Sequence, residues 1–182
     1  MEPDKILVLG GAKSGKTDFA LRFGESLGRK HGKKGLYIAT AQPLDSEMQD
    51  RIDKHKQSRS PFWHTIEEPC NIWESFNKID SSIGIVLVDC LTLWLTNILA
   101  SSPSQLEHHI QKLLNSLSAL SKPIILVSNE VGMGIVPAIK EARYFRDVAG
   151  KLHQRLASHC TKVFFVIAGI PVEIKGVSFT YD

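Results

Sequence analysis

The chain has 182 residues, of which 43% are hydrophobic, and this is enough apolar material for one globular domain with a full core. We therefore predict a single domain over residues 1–182. The formal net charge is only +3 and the basic residues are spread along the chain, which argues against nucleic acid as a partner and favours a small phosphorylated ligand.

The three cysteines, Cys70, Cys90 and Cys160, indicate a reducing compartment. Their odd number and wide spacing fit neither a disulfide framework nor a metal site. The apolar run before Gly10 is too short for a signal peptide, and no stretch approaches the length of a membrane span. We expect a cytoplasmic protein without a membrane span.

A glycine-rich octet follows the first predicted strand, residues 5–9. It fits the phosphate-binding (P-loop) pattern G-x-x-x-x-G-K-[ST], whose backbone N–H groups, with the N-terminus of the next helix, face the phosphates of a nucleoside triphosphate. We expect Lys16 to contact the β and γ phosphates and Thr17 to ligate Mg²⁺. A chance match would need two glycines, a lysine and a hydroxyl at fixed positions between a strand and a helix, so we interpret the octet as a phosphate-binding loop. The predicted nucleotide-binding residues of the octet are Gly10, Gly11, Ala12, Lys13, Ser14, Gly15, Lys16 and Thr17.

Apolar runs typical of strands recur along the chain with helical patterns between them. This alternation predicts an α/β fold in which a mainly parallel central sheet is flanked by helices. The further predicted strands are residues 35–39, 83–88, 123–128 and 162–168.

Besides the helical segment over residues 47–59, three helices accompany these strands in the prediction. One follows the octet from residue 18 to about residue 30, and two with an apolar stripe span residues 102–121 and 138–159. Ser102 and Gln105 are spaced as a capping box at the start of the second helix. The polar segment 58–71, which contains two prolines, is predicted to be irregular.

An acidic residue, Asp89, follows the predicted strand at 83–88. In P-loop proteins a carboxylate at the end of a second strand holds Mg²⁺ directly or through water, and we assign this role to Asp89. Thr17 and Asp89 are thus the predicted metal ligands. The alternative role for Asp89 is to cap the N-terminus of the following helix, and the two roles can coexist.

Residues 47–59 are helical in period, with Arg51, His55 and Arg59 on one face at intervals of four residues. Neighbouring positive charge favours the neutral, nucleophilic imidazole of His55, and the two arginines are suited to hold phosphate oxygens. From spacing alone, a solvated surface histidine is the simpler interpretation.

Several segments taken together resemble one known family, the bifunctional adenosylcobinamide kinase/adenosylcobinamide-phosphate guanylyltransferases of cobalamin nucleotide-loop assembly. The similarity runs in order along nearly the whole chain. The P-loop is common to many families, whereas R-I-x-x-H-x-x-x-R at 51–59 and N-E-V-G-M-G-I-V-P at 129–137 are specific. The other similar segments are residues 8–17, 37–42, 63–67, 88–92 and 143–147.

The resemblance implies two reactions at one nucleotide site: phosphorylation of adenosylcobinamide by ATP or GTP, then transfer of GMP from GTP to the new phosphate. In the family a histidine of the R-I-x-x-H element carries GMP as a phosphoramidate, and His55 occupies that position. Family members can have a second histidine where this chain has Lys54, and His153 stands where we expect asparagine. The resemblance further implies a homotrimer, and nucleotide contacts by Ala39, Thr40, Ala41, Lys56, Gln57, Ser58, Arg59, Glu67 and Asp89.

Two other functions remain open from the residues alone. A plain small-molecule kinase would use the P-loop, with His55 in a structural role only. A regulatory module would bind a nucleoside triphosphate and use its hydrolysis to change conformation, without a small-molecule acceptor.

Overall fold

In the computed structural model, residues 3–29, 32–43, 45–57 and 59–176 are described, and these contain seven strands and five α-helices. The strands are β1 (Lys5–Gly10), β2 (Lys34–Ala39), β3 (Trp63–Glu67), β4 (Ile83–Asp89), β5 (Ile124–Asn129), β6 (Lys162–Ile167) and β7 (Ile170–Lys175). The α-helices are α1 (Lys16–Arg29), α2 (Ser46–Gln57), α3 (Leu91–Ser101), α4 (Leu106–Ala119) and α5 (Lys140–His159). Two short 3-10 helices span Ile72–Lys78 and Pro103–Gln105.

The strands form one sheet in the order β3-β2-β4-β5-β1-β6-β7. Every pair in the sheet is parallel except β6 and β7, which are antiparallel. This confirms the predicted α/β fold with a mainly parallel sheet. Because β1 is parallel to both of its neighbours, β5 and β6, the loop that follows β1 emerges at the edge of the sheet where all three strands end. Ligands of parallel sheets bind at this carboxyl edge.

Alternating residues of the central strands pack into two apolar layers, one on each face of the sheet. Leu7 and Leu126 belong to the layer covered by α3, α4 and α5. Ile6 and Val127 belong to the opposite layer, which α1 covers. The predicted apolar stripes of α4 and α5 are confirmed as core or as packed against it, with Leu106, Leu120 and Phe145 half-buried. Ala142 is also half-buried and does not belong to this core cluster. No helix among the described residues has the length and apolar character needed to cross a membrane.

The prediction of an irregular segment over residues 58–71 is wrong, because it contains β3. This edge strand pairs in parallel with β2, and Trp63 lies opposite Gly35. A Cβ atom at Gly35 would lie 2.4 Å from the Trp63 indole, so only glycine leaves room for that ring. Polar residues on the exposed side of β3 hide the strand pattern in the sequence.

The predicted helix over residues 102–121 is divided into a 3-10 turn and α4, and its capping box is absent. Ser102, the N-cap residue of the 3-10 turn, makes no side-chain cap hydrogen bond, and neither does Gln105, the N-cap residue of α4. Two further elements, α3 and β7, were not predicted. The α3 sequence is apolar on most sides, which removes its helical period, and β7 is a short edge strand that contains Pro171.

Candidate active site

The loop between β1 and α1 has the tight backbone of a phosphate-binding loop. Gly15 has φ +89°, and a Cβ atom there would lie 3.1 Å from the Cα of Gly169, so a larger residue is strained on both counts. The Gly169 N–H donates a hydrogen bond to the Ser14 carbonyl at 2.8 Å. The turn between β6 and β7 therefore supports the P-loop, a contact that the sequence pattern did not predict.

Lys16 is the first residue of α1, and its side chain is buried against the loop that it follows. Its Nζ donates a hydrogen bond to the Gly11 carbonyl at 2.9 Å. Burial lowers the pKa of Lys16 below its ordinary value, and the negative charge of Asp89 opposes that shift. The ammonium group is thus held inside the loop, with Asp89 as the nearby countercharge.

Asp89 ends β4 and joins two other elements through one carboxylate oxygen. Its Oδ2 accepts a hydrogen bond from Thr17 Oγ1 at 2.9 Å and another from the Tyr37 hydroxyl at 2.8 Å. The predicted pair Thr17 and Asp89 is therefore in direct contact. The alternative capping role is not observed, because Cys90 is the N-cap residue of α3 and makes no side-chain cap hydrogen bond.

Tyr37 is a site residue that sequence reasoning did not single out. Its side chain is buried, and burial, followed by the charge of Asp89, raises the pKa of Tyr37 well above the ordinary tyrosine value. The hydroxyl therefore stays protonated and acts as a donor to Asp89. Tyr37 lies two residues before the end of β2. A buried tyrosine in such a position gives no sequence signal of its own beyond apolar character.

Arg59 lies beyond the end of α2, so the prediction that it shares a helix face with His55 is wrong. The guanidinium carbon of Arg59 stacks 3.7 Å from the centroid of the Tyr37 ring. Its Nη1 donates a hydrogen bond to Thr65 Oγ1 on β3 at 3.3 Å. The side chain of Arg51 is outside the described part of the chain. Arg59 is thus positioned by β2 and β3 rather than by α2.

A cavity of about 800 Å³ at the carboxyl edge brings the predicted site residues together. It lies among the P-loop, the ends of β2 and β4, and α2, so the loop and His55 line the same space. Asn129, the last residue of β5, also lines it. Of the predicted residues, those on the wall are Ala12, Lys13, Ser14, Gly15, Lys16, Thr17, Ala39, Ala41, His55, Lys56, Arg59, Glu67 and Asp89.

Four predicted nucleotide-binding residues are not on the cavity wall: Gly10, Gly11, Thr40 and Gln57. Thr40 is fully buried, and its hydroxyl both donates to the Cys90 carbonyl and accepts from the Cys90 N–H, each at 2.8 Å. The structure therefore gives this hydroxyl a partner inside the protein, where it joins the ends of β2 and β4. Ser58, also predicted to bind nucleotide, lies outside the described residues.

Lys56 and Glu67 form an ion pair at the rim of the cavity. The Nζ to Oε1 distance is 2.5 Å, and the two side chains are 42% and 59% exposed. Solvent screens a pair this exposed, so it contributes little to stability. It does connect the last turn of α2 to the end of β3.

The described residues contain no group of three or more histidine, cysteine, aspartate or glutamate side chains that could hold a metal ion. A magnesium ion at a P-loop needs few protein ligands, because nucleotide phosphates and water fill most of its coordination sphere. The Thr17 hydroxyl and the Asp89 carboxylate supply two hard oxygen donors in contact with each other. The donor set therefore fits Mg²⁺ bound together with a nucleotide.

The sheet, the loop and the cavity define an α/β protein of the P-loop NTPase class. Among solved structures, the flagellar accessory protein FlaH from Methanocaldococcus jannaschii superimposes with a TM-score of 0.55. That likeness covers 98% of this chain and 84% of FlaH at 13% sequence identity, so it supports the fold alone.

Sequence comparison identifies the family. The model of the cobinamide kinase/cobinamide phosphate guanyltransferase family matches residues 6–174, and the chain belongs to that family. The protein is 44% identical over 171 residues to the bifunctional adenosylcobalamin biosynthesis protein CobP of Pseudomonas aeruginosa, covering 93% of this chain and 96% of that protein. It is 38% identical over 185 residues to the bifunctional adenosylcobalamin biosynthesis protein CobU of Escherichia coli, covering 93% and 99% of the two chains.

Replacing Lys16 with alanine is expected to abolish phosphoryl transfer and to lower the affinity for GTP about tenfold or more. A hydrogen bond from a charged donor is worth roughly 1.5–3 kcal/mol, and GMP lacks the β and γ phosphates that this lysine would contact. Calorimetric titration with GTP and GMP measures the difference. Lys13→Ala, at an exposed position of the same loop, is the control and should cost less. Equal losses for GTP and GMP would contradict this role for Lys16.

Replacing Asp89 with asparagine is expected to raise the Mg²⁺ concentration for half-maximal turnover by roughly tenfold, because one anionic oxygen donor is lost. Tyr37→Phe is the matched control, since it removes one hydrogen bond to Asp89 and keeps the carboxylate. Its effect should be smaller. An unchanged Mg²⁺ titration of the Asp89 variant would show that this carboxylate does not bind the ion.

Proposed function

We propose that this protein phosphorylates adenosylcobinamide with ATP or GTP and then transfers GMP from GTP to the adenosylcobinamide phosphate. The observation that carries the proposal is the single cavity lined both by Lys16 of the P-loop and by His55 of α2. A nucleotide bound by the loop would extend into the space that His55 borders. One nucleotide site can therefore serve two transfers that cleave different phosphate bonds.

The first reaction is assigned to the P-loop side of the cavity. The acceptor hydroxyl of the aminopropanol arm attacks the γ-phosphorus, its proton passes to solvent, the bond to the bridging oxygen breaks and the nucleoside diphosphate leaves. Lys16 and the loop N–H groups would neutralise negative charge on the β and γ oxygens. Thr17 and Asp89 would hold Mg²⁺, which supplies further charge neutralisation on these phosphates when bound.

The second reaction is assigned to His55. A neutral imidazole nitrogen attacks the α-phosphorus of GTP, the bond to the bridging oxygen breaks, pyrophosphate leaves and the imidazole loses its proton to solvent. A phosphate oxygen of adenosylcobinamide phosphate then attacks the same phosphorus, the P–N bond breaks, the leaving imidazole takes a proton back from solvent and adenosylcobinamide-GDP forms. In the first step the nucleophile is uncharged, so no anion attacks the triphosphate of GTP. In the second step the anionic acceptor attacks a single phosphoryl group, which carries less negative charge than a triphosphate.

The remaining wall residues are assigned to nucleotide positioning. Arg59 is held against Tyr37 with its guanidinium at the cavity, where it can pair with a phosphate. Ala39 ends β2, Ala41 lies just beyond it, Glu67 ends β3 and Lys56 lies in the last turn of α2, and all four border the same space. We assign these four residues to contacts with the nucleoside part of GTP.

The assembly and the location are also part of the proposal. The family resemblance implies a homotrimer, and β7 offers a surface that an assembly could cover, because Ile170, Val172 and Ile174 are 65%, 47% and 52% exposed on an edge strand. We propose one domain, since all seven described strands belong to one sheet. A cytoplasmic location agrees with the free thiols of Cys70, Cys90 and Cys160.

The covalent step is tested with His55→Ala. Incubating the wild type with GTP labelled at the α-phosphate should give a protein-bound label that is acid-labile and alkali-stable, as expected for a phosphoramidate, and the variant should give none. Its kinase reaction with ATP should persist, because γ-phosphoryl transfer needs only the P-loop, the metal ion and the acceptor. Adenosylcobinamide phosphate should then accumulate without its GDP derivative. His64→Ala, at an exposed position of β3, is the control and should label normally.

The same experiment separates the alternative functions. A plain kinase would give no labelled wild-type protein and no GDP derivative. A regulatory module would turn over nucleotide at a rate that adenosylcobinamide does not change. Guanylyl transfer that survives in the His55 variant would overturn the covalent mechanism.

The assembly is tested with Val172→Lys, which places a charge on the apolar edge of the sheet. We expect the wild type to have the mass of a trimer by light scattering and the variant to shift to the monomer mass. Ala119→Lys adds the same charge at an exposed position of α4 and should leave the trimer intact. A monomeric wild type, or a trimeric Val172 variant, would contradict the proposed interface.

A further inference from the structure

His153 lies in the middle of α5 and forms one end of a buried chain of polar groups that leads to the cavity wall. The ring is only 6% exposed, and its Nε2 is 2.8 Å from Ser128 Oγ on β5. The Ser128 hydroxyl is 3.2 Å from Thr92 Oγ1 on α3, which accepts the backbone N–H of Asn129 at 2.7 Å. Asn129 lines the cavity. This series of hydrogen bonds thus connects α5, which covers one face of the sheet, to the cavity wall.

The other ring nitrogen faces Glu130, the residue that follows Asn129. The distance from His153 Nδ1 to Glu130 Oε2 is 3.6 Å, which is too long for a hydrogen bond, and this buried nitrogen has no hydrogen-bond partner among the described residues. The Glu130 carboxylate also accepts the Gly132 N–H, and its backbone N–H donates to the Gly10 carbonyl at 2.9 Å. His153 therefore lies behind both the cavity wall and the start of the P-loop.

The donors and acceptors of this chain fit one protonation state of the ring. A nitrogen beside a carboxylate is favoured as a donor, so the proton of a neutral His153 belongs on Nδ1 and leaves Nε2 as an acceptor. Ser128 then donates to Nε2, and Thr92 donates to Ser128 while it accepts from the Asn129 N–H. Every hydroxyl is satisfied in this arrangement.

We propose that His153, as the neutral ring, is a positioning residue for the nucleotide site, which fixes Ser128 and Thr92 and through them the main chain of Asn129 beside the P-loop. The inference rests on the proposed use of the cavity for nucleotides. Protonation of Nε2 would make it a donor to Ser128 Oγ, so the Ser128 hydroxyl hydrogen would lose its acceptor or would have to turn towards Thr92 Oγ1 and displace the hydrogen bond that Thr92 donates. Nucleotide binding should therefore weaken at acidic pH.

The electrostatic surroundings of the ring agree with a neutral state near pH 7. Burial lowers the pKa of His153, and the Glu130 carboxylate opposes this shift. Glu130 is the charged side chain that faces the ring, and within the described ranges no other charged group forms an ion pair or hydrogen bond with it. Burial therefore favours the neutral ring, and acidification favours the protonated one.

Two substitutions separate the hydrogen bond from the packing. The amide oxygen of His153→Gln can reach the position of Nε2 and accept from Ser128, whereas His153→Leu fills the space and leaves the Ser128 hydroxyl without an acceptor. We expect the leucine variant to bind MgGTP and MgATP about fivefold more weakly at pH 7.5, the effect of losing one buried hydrogen bond. The glutamine variant should bind as the wild type does.

The pH dependence gives a second readout that a purely structural role would not change. Between pH 7.5 and pH 5.5 the wild type should lose affinity as the ring takes up a proton, and the glutamine variant should lose markedly less. His109→Leu is the matched control, because His109 is a second buried histidine, 7% exposed, on α4, where it packs against Trp73 rather than against the cavity. It should keep the wild-type affinity and pH profile.

Calorimetric binding of the nucleotides, with melting temperatures for every variant, completes the test. Thr92→Val removes the hydroxyl that accepts the Asn129 N–H and so interrupts the series of hydrogen bonds at its other end. This variant should weaken nucleotide binding, and it tests the proposal even if the leucine variant does not fold. Wild-type affinity in both the leucine and valine variants, or a glutamine variant as weak as the leucine one, would overturn the proposal. Because binding is measured without adenosylcobinamide, a failure of the proposed transferase function would appear separately, as nucleotide binding without transfer.

Discussion

The site depends on the hydrogen bonds that the Asp89 carboxylate accepts. One of its oxygens receives hydrogen bonds from Thr17 at the start of α1 and from Tyr37 on β2. Tyr37 in turn supports the guanidinium of Arg59. A single negative charge thus orients the hydroxyl next to the P-loop, a buried phenol and, through that phenol, a cation from the other side of the cavity. A half-buried carboxylate with two donors keeps its position, because each lost hydrogen bond to a charged group costs free energy.

The rest of the fold serves to hold this edge of the sheet rigid. The P-loop is supported from β6 and β7 through the Gly169 to Ser14 hydrogen bond, and from β5 through the Glu130 to Gly10 hydrogen bond. Thr40 ties the ends of β2 and β4 together at Cys90. By contrast, α2 has no fully buried residue among those whose burial is described, and polar contacts such as the Lys56 to Glu67 pair link it to the sheet. The P-loop side of the cavity is therefore held by more backbone hydrogen bonds and buried contacts than the α2 side.

Local patterns made the loop and the sheet predictable, because strand 5–10, the octet and the following helix are contiguous in sequence. Asp89 was predictable for the same reason, as the last residue of an apolar run. Contacts between distant residues were not: Tyr37 and Asp89 are 52 residues apart, and nothing in the apolar character of Tyr37 reveals the hydrogen bond. The error at Arg59 has a similar cause, since helical spacing continued past Gln57 in the sequence while the chain turned to place the guanidinium on Tyr37.

The position of the P-loop explains how one site can serve both proposed reactions. In phosphoryl transfer the loop and Lys16 would hold the group that is transferred and the diphosphate that leaves. In guanylyl transfer the same β and γ phosphates would depart together as pyrophosphate, so the same donors would stabilise the leaving group. The protein then needs a second nucleophile position and not a second phosphate site. In the proposed mechanism His55 would provide that position, because it borders the cavity from α2, an element separate from the P-loop.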